Sequence, residues 1–420
     1  MTHTPDTDAM RIRTTPTQPA LAEHYVGRRY LQLVVVLGAL SAIGPMTVDT
    51  YLPALPIIRA EFGATDVQAQ ATLTGLLLGL GLGQLVVGPL SDAVGRRRPL
   101  LLGLIGHAAM SVLCALAPSI TILAITRTLQ GLAGAAVAVV AMAMVRDLFT
   151  GNRAAQLLSR LFLVLGIAPI LAPVLGGALL NVTTWQGIFL VLAAAAAGLL
   201  VLAWFALPET LPPERRIPAS MRASFKAYAA LFTDRAFVIL VIVSGLLFAV
   251  LFAYVAGSPF ILQGVYGLSP QQFSLAFGGN AVGLIVATQL NPLLLRRYQP
   301  VQVLAAAVLI VFVAGAALLI TAATGLGGLT GILIPLAVMV AALGLSFPNA
   351  PAAALSRHGD TAGTAAAVLG AAQFVAGGLA SPLVGAFDDN TAVPLAIIVV
   401  AAAGIAIILL IRGRRLLRST

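Results

Sequence analysis

The sequence predicts an all-α integral membrane protein with twelve transmembrane helices in two pseudo-symmetric six-helix bundles. The composition indicates the membrane class, because 60% of the 420 residues are hydrophobic and only 9% are charged, whereas soluble domains carry about 25% charged residues. The spacing of the apolar runs predicts the helices. Runs of roughly 20 residues recur along the chain, and each is long enough to cross about 30 Å of hydrocarbon as an α-helix.

The predicted spans alternate with short polar segments. Lipid must solvate much of their surface, because a chain of 420 residues cannot bury so many apolar side chains in a globular core. Alternating polar positions are too few for a membrane β-barrel, whose lumen face is polar. The spans are 30–51, 69–90, 99–117, 120–145, 157–180, 185–207, 236–258, 271–295, 301–323, 328–350, 362–386 and 393–412.

The basic residues predict the orientation of the spans. If both termini are cytoplasmic, every Lys and Arg except Arg59 and Arg127 lies in a cytoplasmic loop or tail. A shift of the count by one helix would destroy this positive-inside distribution. The net charge of +10 therefore indicates topology, and we expect no nucleic-acid partner.

The longest internal hydrophilic stretch divides the spans six and six. A weak repeat supports duplication, because Pro89-Leu90 and Pro292-Leu293 each precede a basic cluster and lie 203 positions apart, as in transporters built from two related halves. The predicted organisation is a disordered cytoplasmic tail (1–29), an N-terminal bundle (30–207), a cytoplasmic linker (208–235), a C-terminal bundle (236–412) and a cytoplasmic tail (413–420).

Only two charged residues lie deep within the predicted spans, Asp49 in the first and Arg127 in the fourth. A charge at this depth costs a few kcal/mol even on the lowest scales. Arg127 shares a helix face with Gln130 and Gly131, and Asp49 is the strongest acceptor within the membrane for its guanidinium. We expect the two charges to serve the function of the protein, or else to form a buried ion pair that holds the first and fourth spans together.

The loop after the second span carries a motif in which glycines allow a tight turn and close helix approach. Arg96 of this loop can pair with Asp92 or with Asp147 at the end of the fourth span, which predicts a cytoplasmic latch. The alternative is a basic loop that serves topology alone. The loop resembles the signature of the major facilitator superfamily at Gly88, Leu90, Asp92, Gly95, Arg96 and Arg97.

Two further segments resemble the drug:proton antiporter branch with twelve spans of that superfamily, and the Bcr/CflA multidrug exporters in particular. They are Asp49–Pro56 in the first span and Glu209–Arg216 after the sixth. The resemblance implies the fold of the superfamily, residence in a bacterial cytoplasmic membrane, the proton as coupling ion and a coupling role for Arg127.

The fifth span is similar to the antiporter motif of the same branch. Pro173, Gly176 and Gly177 match it, whereas Ala168 and Ala172 replace glycines. The resemblance implies export. The alternative is the generic helix packing that small residues allow.

Several polar and aromatic residues within the spans are candidates for a substrate pocket, since aromatic and Met side chains form adaptable apolar walls. Plain helix packing is the alternative for each of them. The candidates are Met46, Tyr51, Gln130, Phe248, Phe252, Tyr254, Asn280 and Gln373.

Together these features predict a monomeric, proton-coupled exporter of small drug-like molecules, such as chloramphenicol or bicyclomycin, that works by alternating access. No metal or other cofactor is expected, because Cys114 is the single cysteine and the four histidines show no ligand spacing. The sequence also lacks a G-x-x-x-x-G-K-[ST] nucleotide-binding loop. Proton-linked uptake of a metabolite is one alternative, and a polytopic membrane enzyme is another.

Overall fold

Helices form every regular element that the structure describes. It is a computed structural model, and it describes residues 28–149, 151–216, 221–358, 361–386 and 391–417. The α-helices are α1 (Arg28–Asp49), α2 (Leu55–Glu61), α3 (Asp66–Val94), α4 (Arg97–Ala115), α5 (Ile120–Leu148), α6 (Gly151–Leu179), α7 (Trp185–Ala206), α8 (Met221–Leu231), α9 (Arg235–Pro259), α10 (Pro270–Leu294), α11 (Pro300–Thr324), α12 (Gly328–Leu355), α13 (Ala362–Gly385) and α14 (Val393–Leu417).

These helices confirm the predicted class of fold. Within the described ranges, eleven helical segments are long and apolar enough to cross a membrane, and α6 supplies a further apolar stretch over Val164–Leu179. Each of them coincides with one predicted span. The first span combines α1 and α2, and α8 belongs to the linker between the two halves of the chain.

The first span is interrupted directly after Asp49. Helix α1 ends there, a 3₁₀ turn covers Leu52–Ala54, and α2 continues the span. Pro53 has no N–H to donate to the carbonyl of Asp49, and its ring would clash with that carbonyl in a continuous helix. The break therefore places the carboxyl group of Asp49 at a helix end.

The two halves of the chain use equivalent close crossings between helices. A Cβ atom on Gly131 of α5 would collide with the carbonyl oxygen of Leu76 on α3, and one on Gly344 of α12 would collide with that of Leu284 on α10. Because only glycine allows this approach, the same device holds the second and fourth helices of each six-helix bundle together.

The bundles meet along two seams, α3 against α13 and α6 against α10. We call the end that carries the α3–α4, α10–α11 and α12–α13 loops the arginine-rich end, and the other the opposite end. At the opposite end, Gln70 Nε2 donates to the carbonyl of Ala256 at 3.4 Å, and Gln70 Oε1 accepts from Gly385 N at 3.0 Å. Gln271 Nε2 donates to Asn181 Oδ1 at 2.7 Å. These contacts close the opposite end.

The linker is docked onto the second span through α8. The hydroxyl of Tyr228 donates to the carbonyl oxygen of Leu85 at 2.9 Å. In a regular α-helix that carbonyl would accept from the N–H four residues later, but residue 89 is Pro89, which has none. Burial, followed by the charge of Asp92, raises the pKa of Tyr228 above its usual value, so the phenol keeps the proton that it donates.

The structure moves some edges of the predicted domains. Of the predicted tail 1–29, the first 27 residues lie outside the described residues, and α1 begins at Arg28. Helix α14 runs to Leu417, so most of the predicted tail 413–420 is helical up to its last three residues, which are not described. Residues 217–220 of the linker also lie outside the described ranges.

Candidate functional site

A cavity of about 370 Å³ lies between the two bundles, and both contribute to its wall. Among the described residues that line it, Asp49 carries the one formal charge, and its exposed fraction is 6%. Three predicted pocket residues, Phe248, Phe252 and Tyr254, also line the cavity. The complete lining is Ser41, Gly44, Pro45, Val48, Asp49, Leu80, Gln84, Ala135, Ala138, Leu165, Gly166, Pro169, Phe248, Leu251, Phe252, Tyr254, Val255, Phe277, Ala281, Leu284, Val340, Phe347 and Phe374.

The C-terminal wall of the cavity is aromatic. The ring of Phe248 lies 4.9 Å from that of Phe347 and 6.0 Å from that of Phe374, between centroids. Tyr254 stacks on Phe277 with centroids 5.1 Å apart. Rings in these offset and tilted arrangements present a stable apolar surface.

An amide supports this wall from behind. Asn280 Nδ2 donates to the hydroxyl oxygen of Tyr254 at 2.9 Å, and Asn280 is buried. Since the tyrosine oxygen accepts this bond, its own proton is left for another acceptor. The predicted pocket residue Asn280 thus acts through Tyr254 and does not itself line the cavity.

One face of α1 forms part of the N-terminal wall, beside residues of α3, α5 and α6. Ser41, Pro45, Val48 and Asp49 line the cavity, and their spacing of three and four residues puts them on a single helical face. Small residues on this face leave room above the carboxyl group. Asp49 therefore points towards the space between the bundles, and not into the interior of its own bundle.

Arg127 lies inside the N-terminal bundle and is fully buried. Its Nη1 donates to the carbonyl of Thr47 at 3.1 Å and to Gln130 Oε1 at 2.8 Å. Its guanidinium carbon lies 4.1 Å from the ring centroid of Tyr51 and 5.5 Å from that of Phe189, within the range of cation–π attraction. Its Nε and Nη2 have no hydrogen-bond partner.

The expected ion pair between Asp49 and Arg127 is not formed in this structure, although both residues are described. The physical reason is the helical period. Thr47 faces Arg127, and two residues along an α-helix turn the side chain by about 200°. Asp49 therefore lies on the far side of α1 from the guanidinium, and the backbone of Thr47 takes the place that the sequence assigns to the carboxylate.

The predicted latch is assembled at the arginine-rich end. Arg96 pairs with Asp92 at 2.6 Å and with Asp147 at 2.9 Å, and it also donates to Ser91 Oγ at 2.6 Å. Partial burial lowers the pKa of Arg96, but the hydrogen bond and charge of Asp147 and the charge of Asp92 outweigh burial and raise it above its usual value. The side chain of Arg96 is 9% exposed and that of Asp92 is 44% exposed, so the guanidinium is shielded from solvent while Asp92 is not.

Glu209 completes this cluster, which the sequence motif alone does not reveal. Its carboxylate accepts from the backbone N–H of Arg96 at 2.8 Å and of Arg97 at 3.3 Å, satisfying amides at the start of α4. Gly95 has a φ of 97°, and a side chain there would meet the carboxylate of Glu209. Arg97 is engaged elsewhere, since it donates to the carbonyl of Trp204 at 2.7 Å.

Gly88 does not support close helix packing in this structure, contrary to the expectation. A Cβ atom added there would meet no atom within 4 Å. Instead Gly88 lines a cleft of about 350 Å³ at the arginine-rich end, together with Asp92, Arg96 and Tyr228. This cleft shares Gln84 with the central cavity, so the two spaces adjoin.

The glycines of the fifth-span motif lie at the closed, opposite end. A Cβ atom on Gly176 would collide with the carbonyl oxygen of Thr50, at the break in the first span, and one on Gly177 would come within 2.6 Å of Ser274 Oγ on α10. Pro173 precedes them within α6. The motif thus packs α6 against both α1 and the C-terminal bundle.

The other predicted pocket residues have packing roles. Tyr51 hydrogen-bonds Thr72 at 3.2 Å, and Gln130 belongs to the surroundings of Arg127. Gln373 donates to Ser244 Oγ at 2.6 Å, and Met46 packs against the core. None of these four candidates is among the residues that line the cavity.

Sequence reasoning missed the partners of the charged residues. Thr47, Ser111 and His107 surround Arg127, but single hydroxyls and a lone histidine in apolar spans carry no spacing signal. Glu209 and Tyr228 lie in the linker, and only the tertiary structure brings them to α4 and α3. A buried guanidinium needs several acceptors, which is the one signal that could have pointed to such neighbours.

Comparisons with known proteins agree with this architecture. The sequence profile of the Major Facilitator Superfamily matches residues 36–382. An uncharacterized MFS-type transporter of Bacillus subtilis (strain 168), YdgK, is 38% identical over 375 residues, which cover 88% of this chain and 92% of that protein. The bicyclomycin resistance protein homolog of Haemophilus influenzae is 32% identical and is matched over 86% of this chain and 91% of its own length.

More distant relatives share the fold. The multidrug resistance protein MdtL of Escherichia coli O157:H7 is 29% identical over 80% of this chain and 83% of its own. Among solved structures, the xylose transporter XylE from E. coli superposes with a TM-score of 0.73 at 14% identity, covering 92% of this chain and 98% of that one.

Proposed function

Because this chain belongs to the Major Facilitator Superfamily, we propose that it is a proton-coupled antiporter that exports small drug-like molecules across the bacterial cytoplasmic membrane by alternating access. Its family and relatives make it a membrane transporter and not an enzyme. The observation that carries the proposal is the carboxyl group of Asp49 on the wall of a cavity between the two bundles.

The contacts at the two ends support alternating access. Hydrogen bonds of Gln70 and Gln271 join the bundles at the opposite end, whereas a cleft that adjoins the cavity lies at the arginine-rich end. The positive-inside distribution assigns the arginine-rich end to the cytoplasm. In the proposed cycle, this arrangement is the state that takes up its cargo from the cytoplasm.

Asp49 is the proposed proton site. Burial favours the neutral form of a carboxyl group, and a nearby cation favours the charged form. A carboxyl group in the cavity can therefore hold a proton in one state and give it up to water or to competition from cargo in another. The membrane potential contributes roughly 2.3 kcal/mol per charge per 100 mV to such an exchange.

Arg127 is the proposed partner that changes the charge preference of Asp49 during the cycle. Its Nε and Nη2 groups have no acceptor in this state, and an unsatisfied buried donor costs about 1–3 kcal/mol. A rotation of the backbone at the end of α1 would bring the carboxylate of Asp49 towards these groups. The proposal is that this rotation accompanies the change to the outward-facing state.

The cargo class follows from the wall and from the relatives. A cavity of about 370 Å³ is within the usual range for small-molecule sites, and the ring cluster around Phe248 favours apolar, aromatic molecules. Relatives include a bicyclomycin resistance protein homolog and a multidrug resistance protein. Together with the glycines of the fifth span, these names support export.

The test uses everted membrane vesicles from an efflux-deficient host that produces the full chain. Respiration acidifies the vesicle lumen, and an acridine dye reports the pH difference. Chloramphenicol and bicyclomycin are added separately, and we expect each molecule that is cargo to dissipate the pH difference. Asp49→Asn should abolish this response, because the amide cannot exchange a proton.

Asp66→Asn is the matched control, since Asp66 is a carboxylate at the opposite end that pairs with Arg59 and does not line the cavity. It should respond like the unmodified chain. A full response in Asp49→Asn would remove Asp49 from the mechanism. If intact cells accumulate the cargo under an inward proton gradient, the proposed export is wrong and the protein is an uptake transporter.

A further inference from the structure

A ring of buried polar side chains surrounds Arg127 within the N-terminal bundle. Its members are Thr47 on α1, His107 and Ser111 on α4, and Gln130 on α5, each at most 2% exposed. The cavity wall includes none of them. Four polar groups concentrated at one depth of an apolar bundle are costly unless every hydrogen bond is satisfied, so the direction of each bond can be worked out.

The bonds run in one direction from the guanidinium to α4. Arg127 donates to Gln130 Oε1 at 2.8 Å, and the amide nitrogen of Gln130 donates to Ser111 Oγ at 2.7 Å. The hydroxyl of Ser111 donates in turn to the backbone carbonyl of His107 at 2.7 Å. Because a serine has one hydroxyl proton, this bond uses it.

A second set of bonds determines the tautomer of His107. The hydroxyl of Thr47 donates its one proton to the carbonyl of Ile43 at 2.6 Å. Thr47 Oγ1 also lies 2.9 Å from His107 Nε2, and with its proton already used it can only accept. The proton in this contact must therefore belong to Nε2.

The other ring nitrogen has no good partner. His107 Nδ1 lies 3.5 Å from Ser111 Oγ, which is long for a hydrogen bond, and the proton of Ser111 is directed elsewhere. A bare lone pair on Nδ1 fits this environment, whereas an N–H there would have only that distant oxygen. The ring is thus neutral, with its proton on Nε2.

We propose that His107 is a positioning residue, held as the Nε2–H tautomer, that fixes Thr47 of α1 for the coupling step of Arg127. The geometry supports this because α4 holds the side chain of Thr47 through His107, and α5 holds its backbone carbonyl through Arg127 at 3.1 Å. Thr47 precedes Asp49 by two residues. The proposed proton site, Asp49, therefore lies next to a residue, Thr47, that both α4 and α5 hold in place.

This role rests on the proposed antiport, but the tautomer can be tested without transport. The full chain, labelled with ¹⁵N-histidine and reconstituted in lipid, contains four histidines. The signals that disappear in His107→Gln belong to His107. We expect a neutral ring with a protonated Nε2 at pH 7, and a protonated Nδ1 or an imidazolium would overturn the assignment.

Two amide variants separate positioning from mere packing. The amide nitrogen of Gln reaches the place of Nε2 and can donate to Thr47, whereas the shorter Asn reaches only the place of Nδ1. We expect His107→Gln to keep the rate of coupled exchange of the unmodified chain. His107→Asn should lower the rate of coupled exchange about 5-fold or more, the lower range of site-to-site couplings.

The transport variants and the NMR measurement test the role of His107 separately from the proposed antiport. Thr47→Ser, which keeps the hydroxyl, should behave like His107→Gln, and Thr47→Val like His107→Asn. Equal behaviour of both amide variants, after correction for the amount of folded protein, would overturn the positioning role. If the unmodified chain exchanges no protons for chloramphenicol or bicyclomycin, the proposed function fails, while the NMR result still decides the tautomer.

Discussion

The two halves of the molecule share a close helix crossing at a glycine, and they differ in the residue one helical turn before that glycine. In α5, Arg127 lies four residues before the crossing glycine Gly131. In α12, Val340 lies four residues before the equivalent glycine, Gly344. Both side chains are buried. The backbone crossing is thus shared, while one half carries a guanidinium where the other carries an isopropyl group. Because the glycine crossing sets the positions of the helices, the side chain one turn before it can be charged in one half and apolar in the other.

The rest of the buried polar groups follow the same division. Of the described charged and histidine side chains, the buried ones (Asp49, Arg96, His107 and Arg127) belong to the N-terminal half. The C-terminal half buries neutral groups, such as Asn349, which donates to Asn291 Oδ1 at 2.6 Å. The N-terminal half thus holds the buried charged groups, and the C-terminal half provides the aromatic wall of the cavity.

The largest effect is expected from making the first half resemble the second. Arg127→Val copies the residue at position 340 and removes the donor to Gln130 and Thr47. We expect proton-coupled exchange to fall about 5- to 150-fold, the range of typical coupling free energies between sites. The measurement is cargo-dependent loss of the pH difference in reconstituted liposomes.

Arg297→Val controls for the loss of a positive charge, because Arg297 is exposed and lies at the arginine-rich end. Its exchange should match the unmodified chain. If Arg127→Val still couples fully, the guanidinium is a packing element and the functional division between the halves fails.

A smaller effect, shared by both halves, is expected at the crossing glycines. Gly131→Ala and Gly344→Ala each press a methyl group against a backbone carbonyl, and overpacking of this kind costs about 1–3 kcal/mol. Both variants should unfold at lower temperature in detergent. Gly198→Ala and Gly279→Ala, which meet no atom within 4 Å, serve as controls, and a loss in one half only would contradict the shared crossing.

The smallest effect is expected at the surface pair of the C-terminal half. Asp234 accepts from Arg357 at 2.8 Å and from the N–H of Ala236 at 2.9 Å. Although burial raises its pKa, these bonds and the charge of Arg357 outweigh it and hold the pKa of Asp234 below its usual value. Asp234→Asn keeps the helix cap, but it removes the charge and replaces the oxygen that accepts from Arg357 with an amide donor.

The stabilisation by this carboxylate is complete above the unfolded pKa of about 3.9 and is lost as the pH falls through the lower folded pKa. At pH 7 the variant should lose about 0.2–1 kcal/mol, as exposed ion pairs do. The difference should vanish in acid. A loss that grows as the pH falls would show that Asp234 acts through something other than its charge.

Sequence reasoning predicts the spans because lipid imposes their length and the loops carry the basic residues. It also predicts Arg96 with Asp92 and Asp147, since Asp92 and Arg96 flank the short α3–α4 loop and α5 ends beside Asp147 at the same end of the bundle. It does not reveal that Asp49 and Arg127 are unpaired in this state. Whether two residues on different helices meet depends on the rotation of each helix about its axis, and uniformly apolar spans do not reveal that rotation.

The same limit applies to the pocket. Phe248, Phe252 and Tyr254 line the cavity as predicted, because they lie on one side of a helix that borders the seam. Gln130 and Tyr51 are also polar or aromatic, but their faces point into the bundle. Residue type selects candidates, and only the packing of neighbouring helices decides among them.

The hydroxyl of Tyr228 ties the segment between the two halves to α3. It occupies the carbonyl of Leu85 that Pro89 leaves unbonded, and it borders the cleft between α3 and α13. One neutral hydrogen bond is worth only about 1 kcal/mol net, so this contact fixes the position of the linker without locking it.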